Sequence, residues 1–141
     1  MPGTVYDQVA LIDTSAVIAL FDTKDQFHRE AKAFFDAANL VWFTLNTTAH
    51  ETFTRARYDV GLTSALGQYD FLRSDRFRLL AFDDADEQRA RNLLGKYRDQ
   101  SFSFHDALCA AVMLRVGIFK VFSFDRDFWT LGFEVLPGWT R

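Results

Sequence analysis

The chain has 141 residues, 49% of them apolar, a formal net charge of -3 and one cysteine. That length suits a single domain, taken here as residues 1–141, which buries about two thirds of the surface its unfolded chain exposes. The small negative charge excludes a global positive field for polyanions, the lone Cys109 excludes an internal disulfide, and no apolar run reaches the roughly 18 residues that span a bilayer. With no basic-then-apolar leader at the start, a cytoplasmic protein without membrane contact is expected.

Val9 to Ile12 is short, apolar and rich in branched side chains, as a strand buried in a parallel sheet is. Ala16 to Phe21 reads as a short helix, followed by the polar segment Asp22 to Gln26. From Phe27 to Ala38, the residues Ala31, Phe34, Phe35 and Ala38 recur at helical spacing. Leu40 to Leu45 is a second apolar strand. Thr48 to Tyr58 is helical, Gly61 breaks the pattern, and Thr63 to Arg73 resumes it. Phe77 to Phe82 mixes basic and apolar residues as a third strand, and Asp84 to Tyr97 is a charged amphipathic helix. Phe104 to Val116 is a mostly apolar helix closed by Gly117, a suitable C-terminal cap. Phe119 to Phe124 is the fourth strand, a short helix follows Asp125, and Phe133 to Leu136 is an edge strand before Pro137. Strands separated by helices predict an α/β fold: a three-layer α/β/α sandwich on a mainly parallel central sheet of four to five strands.

Four acids fall where a strand gives way to a helix: Asp13, Glu51, Asp106 and Asp125. In an open parallel sheet, ligands bind outside the carboxyl ends of the strands, so acids at these corners converge. Each also has a purely structural reading. Asp13 is a good N-cap, Thr48-Ala49-His50-Glu51 and Ser103-Phe104-His105-Asp106 fit capping boxes, and Asp125 suits a turn. The roles are compatible, because a carboxylate in a first helical turn feels the positive end of the helix dipole and stays ionised. Convergent carboxylates repel unless a hard cation sits among them. With three histidines, no HExxH and no cysteine pair, tetrahedral zinc is disfavoured, and all-oxygen ligation points to Mg²⁺ or Mn²⁺. No GxxxxGK[ST] or GxGxxG stretch supports nucleotide binding.

Read in order, four segments together resemble the PIN-domain family. They are Leu11-Ile12-Asp13-Thr14-Ser15-Ala16, Thr48-Ala49-His50-Glu51-Thr52-Phe53, Ser103-Phe104-His105-Asp106-Ala107 and Phe122-Ser123-Phe124-Asp125-Arg126-Asp127-Phe128. The likeness spans essentially the whole chain, and a compact version such as this is similar to the VapC-type toxins of bacterial toxin–antitoxin pairs. The resemblance implies a Rossmann-like sandwich and a metal-dependent endoribonuclease whose catalytic and metal-binding quartet is Asp13, Glu51, Asp106 and Asp125. It places Ser15 and Ser123 beside that quartet and gives Asp99 a minor part. Asp127 stands where many relatives carry His, and Asp125 is favoured over it because it follows the strand directly. The resemblance further implies a homodimer and a small antitoxin protein that blocks the acidic cleft.

Because the expected site is acidic, RNA must be held by surrounding cations: Arg55 and Arg57 on the helix of Glu51, with Arg73, Arg76, Arg78 and Arg126. Arg55 is first among these, lying one turn beyond Glu51 on the same face. Phe128 and Trp129 are candidates for stacking on unpaired bases. Competing readings are a DNA- or flap-directed nuclease with the same metal site, a PIN-like module that binds RNA or a partner without cutting, and a phosphotransferase-type α/β protein.

Overall fold

The computed structural model describes residues 8–138. Five strands form one sheet in the order β3-β2-β1-β4-β5: β1 is Val9–Ile12, β2 Val41–Leu45, β3 Phe77–Leu80, β4 Lys120–Phe122 and β5 Glu134–Leu136. Every pairing is parallel. β1 lies at the centre, with Leu11 in register with both Phe43 and Val121. The strand order therefore reverses between β1 and β4, which opens a crevice at their carboxyl ends.

All four residues of β1 are buried, as a strand covered on both faces must be. Side chains alternate across the sheet and so feed two separate cores. Val9, Leu11, Leu45, Val121 and Val135 pack under α5 (Asp84–Lys96) and α6 (Phe104–Val116). Ala10, Ile12, Trp42, Phe77 and Phe122 face α1 (Thr14–Phe21), α2 (His28–Ala37) and the ends of α3 (Thr48–Asp59) and α4 (Leu62–Leu72). The second core is aromatic: Phe34 and Phe35 both meet Trp42 and Phe122, and Phe71 meets Phe35 and Phe77. The result is the α/β/α sandwich that the alternating pattern predicts.

Differences from the sequence reading are local. β3 stops at Leu80 because it pairs with β2 only from Phe77 to Leu80, and the chain then turns to the capping residue Asp83 of α5. The short helix after Asp125 is α7 (Asp127–Thr130). Gly117 closes α6 with φ of 78°, a left-handed conformation that costs glycine nothing.

The α5–α6 layer is tied by a buried carboxylate. Asp86 accepts from Arg115 Nε at 2.8 and 3.0 Å and from Arg89 at 3.2 Å, and closes a capping box with Asp83. The Arg115 guanidinium holds the Asp86 carboxyl below its usual range despite burial. Its stabilisation is thus complete above the ordinary carboxylate pKa of about 4 and is lost as pH falls through the lowered folded value. We expect Asp86→Asn to lower stability by about 2 kcal/mol at neutral pH, the loss of a charged hydrogen-bond set. The gap from wild type should close in acid. Urea unfolding near pH 7 and pH 3 measures both, and equal midpoints near neutrality would remove Asp86 from this role.

Candidate active site

Each acid is delivered by a different element. Asp13 directly follows β1, and its backbone N–H donates to Phe122 O of β4 at 3.0 Å, so it sits on the β1–β4 seam. It caps α1, accepting weakly from Ser15 N at 3.4 Å. Asp13 is only 4% exposed. Ser15 Oγ and Ser123 Oγ donate to the same oxygen, Oδ2, at 2.8 and 2.9 Å. The two hydroxyls in turn accept from Phe124 N and Asp125 N, each at 3.0 Å. Burial pushes the Asp13 carboxyl up, the two serine hydroxyls pull it back, and the charge of Asp125 adds to the rise.

Asp106 stands in the first turn of α6 and does cap it. Its N–H donates to Ser103 Oγ at 3.0 Å, and its carboxylate accepts from Ser103 N at 3.3 Å. Asp125 opens the turn into α7, where it accepts from Asp127 N at 3.0 Å. Among the described residues, one oxygen each from Asp106, Asp125 and Asp127 lie within 4.8 Å of one another. Asp106 is raised to about 6 by burial and by the charges of Asp13 and Asp125. Asp127 is raised to about 7 by burial, by Asp125 and by its hydrogen bond to Asp106. Crowded carboxylates without a counter-charge behave in this way.

Glu51 is not in that group. The expected capping box with Thr48 does not form: the N-cap is Thr47, without a side-chain cap bond. Instead Glu51 Oε2 accepts from Thr14 Oγ1 at 3.2 Å and pairs with His105 Nδ1. Burial raises the Glu51 carboxyl, but His105, Thr14 and Arg55 together outweigh it and hold it below its usual range. His105 moves the other way, well above its ordinary value: burial opposes its charge, while Cys109 and Glu51 favour it. Burial pushes the Cys109 thiol up as well, so Glu51 supplies the negative charge beside the ring near neutral pH.

The predicted cations divide. Arg55, Arg57, Arg78 and Arg126 are exposed. Arg73 donates to Asn46 O at 2.6 Å and lies over the Tyr69 ring, and Arg76 covers Phe35 at 4.7 Å, so both are occupied in packing. Phe128 is fully buried and offers no stacking face, and Asp99 is exposed beyond α5. Two site residues carried little sequence signal, Asp127 and His105. Asp127 was legible only as the second acid of Asp125-Arg126-Asp127, and His105 only as the neighbour of Asp106.

A parallel α/β sheet with carboxylates gathered at its switch point defines a Rossmann-like domain with an acidic, cation-suited centre. The PIN domain family model matches residues 10–134. The chain belongs to the PIN-domain family. It is 32% identical over 127 residues to the 23S rRNA-specific endonuclease VapC20 of Mycobacterium tuberculosis, which covers 89% of this chain and 97% of that protein. The crystal structure of M. tuberculosis VapC20, described as a sarcin–ricin loop cleaving toxin, superposes with a TM-score of 0.83 at 29% identity, covering 89% of this chain and 95% of the other. A toxin–antitoxin complex from Klebsiella pneumoniae shares the fold, with a TM-score of 0.68 at 18% identity over 94% of this chain and 99% of that one. So does FitAcB from Neisseria gonorrhoeae, with a TM-score of 0.66 at 18% identity over 90% and 95%.

PIN nucleases use a divalent metal ion, and the hard oxygen donors of Asp106, Asp125 and Asp127 fit one. The raised values of Asp106 and Asp127 mean that metal-free stability carried by these groups is present in acid and lost as pH rises through about 6 to 7. In EDTA at pH 8, Asp127→Asn should therefore raise the melting temperature, and the gain should shrink by pH 5. Adding Mn²⁺ at pH 8 should favour the wild type. A variant less stable than wild type in EDTA at pH 8 would show that the cluster is not under charge strain.

Proposed function

We propose that this protein is a metal-dependent endoribonuclease and the toxin of a toxin–antitoxin pair. The observation that carries this reading is the gathering of Asp106, Asp125 and Asp127 at the switch point of a PIN fold. The relative at 32% identity cuts 23S rRNA, so ribosomal RNA is the first substrate class to test. A cytoplasmic location follows from such a substrate. No helix among the described residues is long and apolar enough to cross a membrane.

We assign the catalytic centre to Asp13, Glu51, Asp106 and Asp125, with Asp127 joining them. Asp106, Asp125 and Asp127 would hold Mg²⁺ or Mn²⁺, with Asp13 near enough for its charge to act on Asp106. Such an ion, when bound, supplies Lewis-acid stabilisation of charge on the phosphate and lowers the pKa of water. Asp13, fixed by Ser15 and Ser123, keeps the β1 and β4 ends of the centre in register. Glu51, ionised near neutral pH, accepts the proton of the attacking water. The water oxygen bonds to phosphorus, the bond from phosphorus to the leaving ribose oxygen breaks, and that oxygen takes up a proton. The result is one phosphate-ended and one hydroxyl-ended fragment. Exposed Arg55, beside Glu51, holds a flanking phosphate.

The domain as a whole, residues 1–141, is proposed to act as one unit, as a homodimer that an antitoxin restrains. Exposed Tyr58, Val60, Leu62 and Leu66 on and between α3 and α4 support a protein contact there.

Purified protein incubated with total RNA in Mg²⁺ or Mn²⁺ should yield discrete fragments, lost in EDTA. Asp106→Asn should slow cleavage at least ~100-fold while remaining folded. RNA left intact by the wild type in either metal would overturn the reading.

A further inference from the structure

Glu51 is anchored differently from the other acids of the centre. Both of its hydrogen bonds fall on one oxygen, Oε2, from Thr14 Oγ1 at 3.2 Å and from His105 Nδ1. Because a carboxylate only accepts, the Nδ1 position of His105 must carry the hydrogen. The partners are themselves held. Thr52 Oγ1 donates to Thr14 Oγ1 at 3.2 Å, and Thr48 Oγ1 meets His105 Nε2 at 3.2 Å. Thr14, Thr48 and Thr52 are all at most 2% exposed. One chain of polar contacts thus joins α1, α3 and α6 and ends on a single oxygen of Glu51. Neither of the Glu51 bonds falls on the other oxygen, Oε1. The three oxygens that approach within 4.8 Å of one another do not include either atom of Glu51.

We propose that His105 is a positioning residue that holds Glu51 out of the cation's coordination shell and presents Oε1 to the attacking water. This deepens the nuclease reading above and rests on it. The division of labour has a chemical reason. A carboxylate bound to a cation has its lone pairs engaged, and a proton acceptor needs one free. Without an anchor, the flexible Glu51 side chain would be drawn onto the ion.

Two measurements on the full chain test this. The first uses Mn²⁺ alone as the probe, titrated into wild type, Glu51→Gln and Asp106→Asn and followed by calorimetry. Glu51→Gln should bind within about 3-fold of wild type, while Asp106→Asn should lose at least ~10-fold, because losing even an outer-shell partner of a ligand costs that much. Equal losses would make Glu51 a ligand and overturn the proposal.

The second is single-turnover RNA cleavage, with melting temperatures recorded for every variant. His105→Ala should lower the rate constant roughly 10- to 100-fold, as removal of a supporting partner does, with the half-saturating RNA concentration unchanged. The double variant His105→Ala with Glu51→Gln should be no slower than Glu51→Gln alone, because residues acting through one another do not add. Should His105→Ala fail to fold, the two amides decide. Asn places its NH₂ near the Nδ1 position and should largely restore the rate, whereas Gln places it near Nε2 and should not. Multiplicative losses in the double variant, or Gln rescuing as well as Asn, would reduce His105 to a packing role. A wild type that cleaves no RNA would overturn the nuclease reading and this proposal together, an outcome distinct from cleavage with additive losses.

Discussion

The site depends first on one buried carboxylate bridging two strands. Asp13 is withdrawn from solvent at the end of the central strand, where an isolated charge is costly. Ser15 and Ser123 make it tolerable, and in doing so they bind the β1 end to the β4 end. Because each serine also accepts a backbone N–H from the β4–α7 turn, the direction in which Asp125 and Asp127 leave the sheet is set by Asp13. The anion at the centre thus organises the other anions around it. That arrangement is unfavourable in itself, and the raised values of Asp106 and Asp127 record the cost. A fold that maintains such a cluster must be compensated elsewhere, and two large apolar cores provide for it.

Helix capping and chemistry share residues here. Asp13 and Asp106 each satisfy the open end of a helix while facing the cleft. Capping fixes the side-chain torsions, so these acids are held in place before any ligand arrives. Glu51 is the exception. It lies in a first turn but caps nothing, and its orientation comes from residues on two other helices.

Much of the architecture was legible in the sequence. Runs such as Val9 to Ile12, and recurrences such as Ala31, Phe34 and Phe35, report local periodicity and the covering of a strand on both faces. Those are properties of a few consecutive residues. The strand order was not readable, nor was the end of β3 at Leu80, since both depend on pairing between distant segments. The same distinction holds at the site. The junction acids stood out because each marks a change of period. The partnership of Glu51 with His105 joins α3 to the distant α6, and Thr48-Ala49-His50-Glu51 offered a local explanation that the fold does not use. Arg73 and Arg76 resembled free cations for a similar reason. Their partners, Asn46 and Phe35, are remote in sequence.

The first turn of α6 carries two adjacent residues with opposite duties. Asp106 reaches into the carboxylate cluster, and His105 grips the glutamate that stays outside it. They share one backbone, so neither can be displaced without the other. α6 therefore works as a camshaft: a small turn about its axis would shift the carboxylate cluster and Glu51 in a fixed phase. Whatever presses on this helix, through exposed Phe104 in the same turn for example, would throw both components out of alignment at once without touching either.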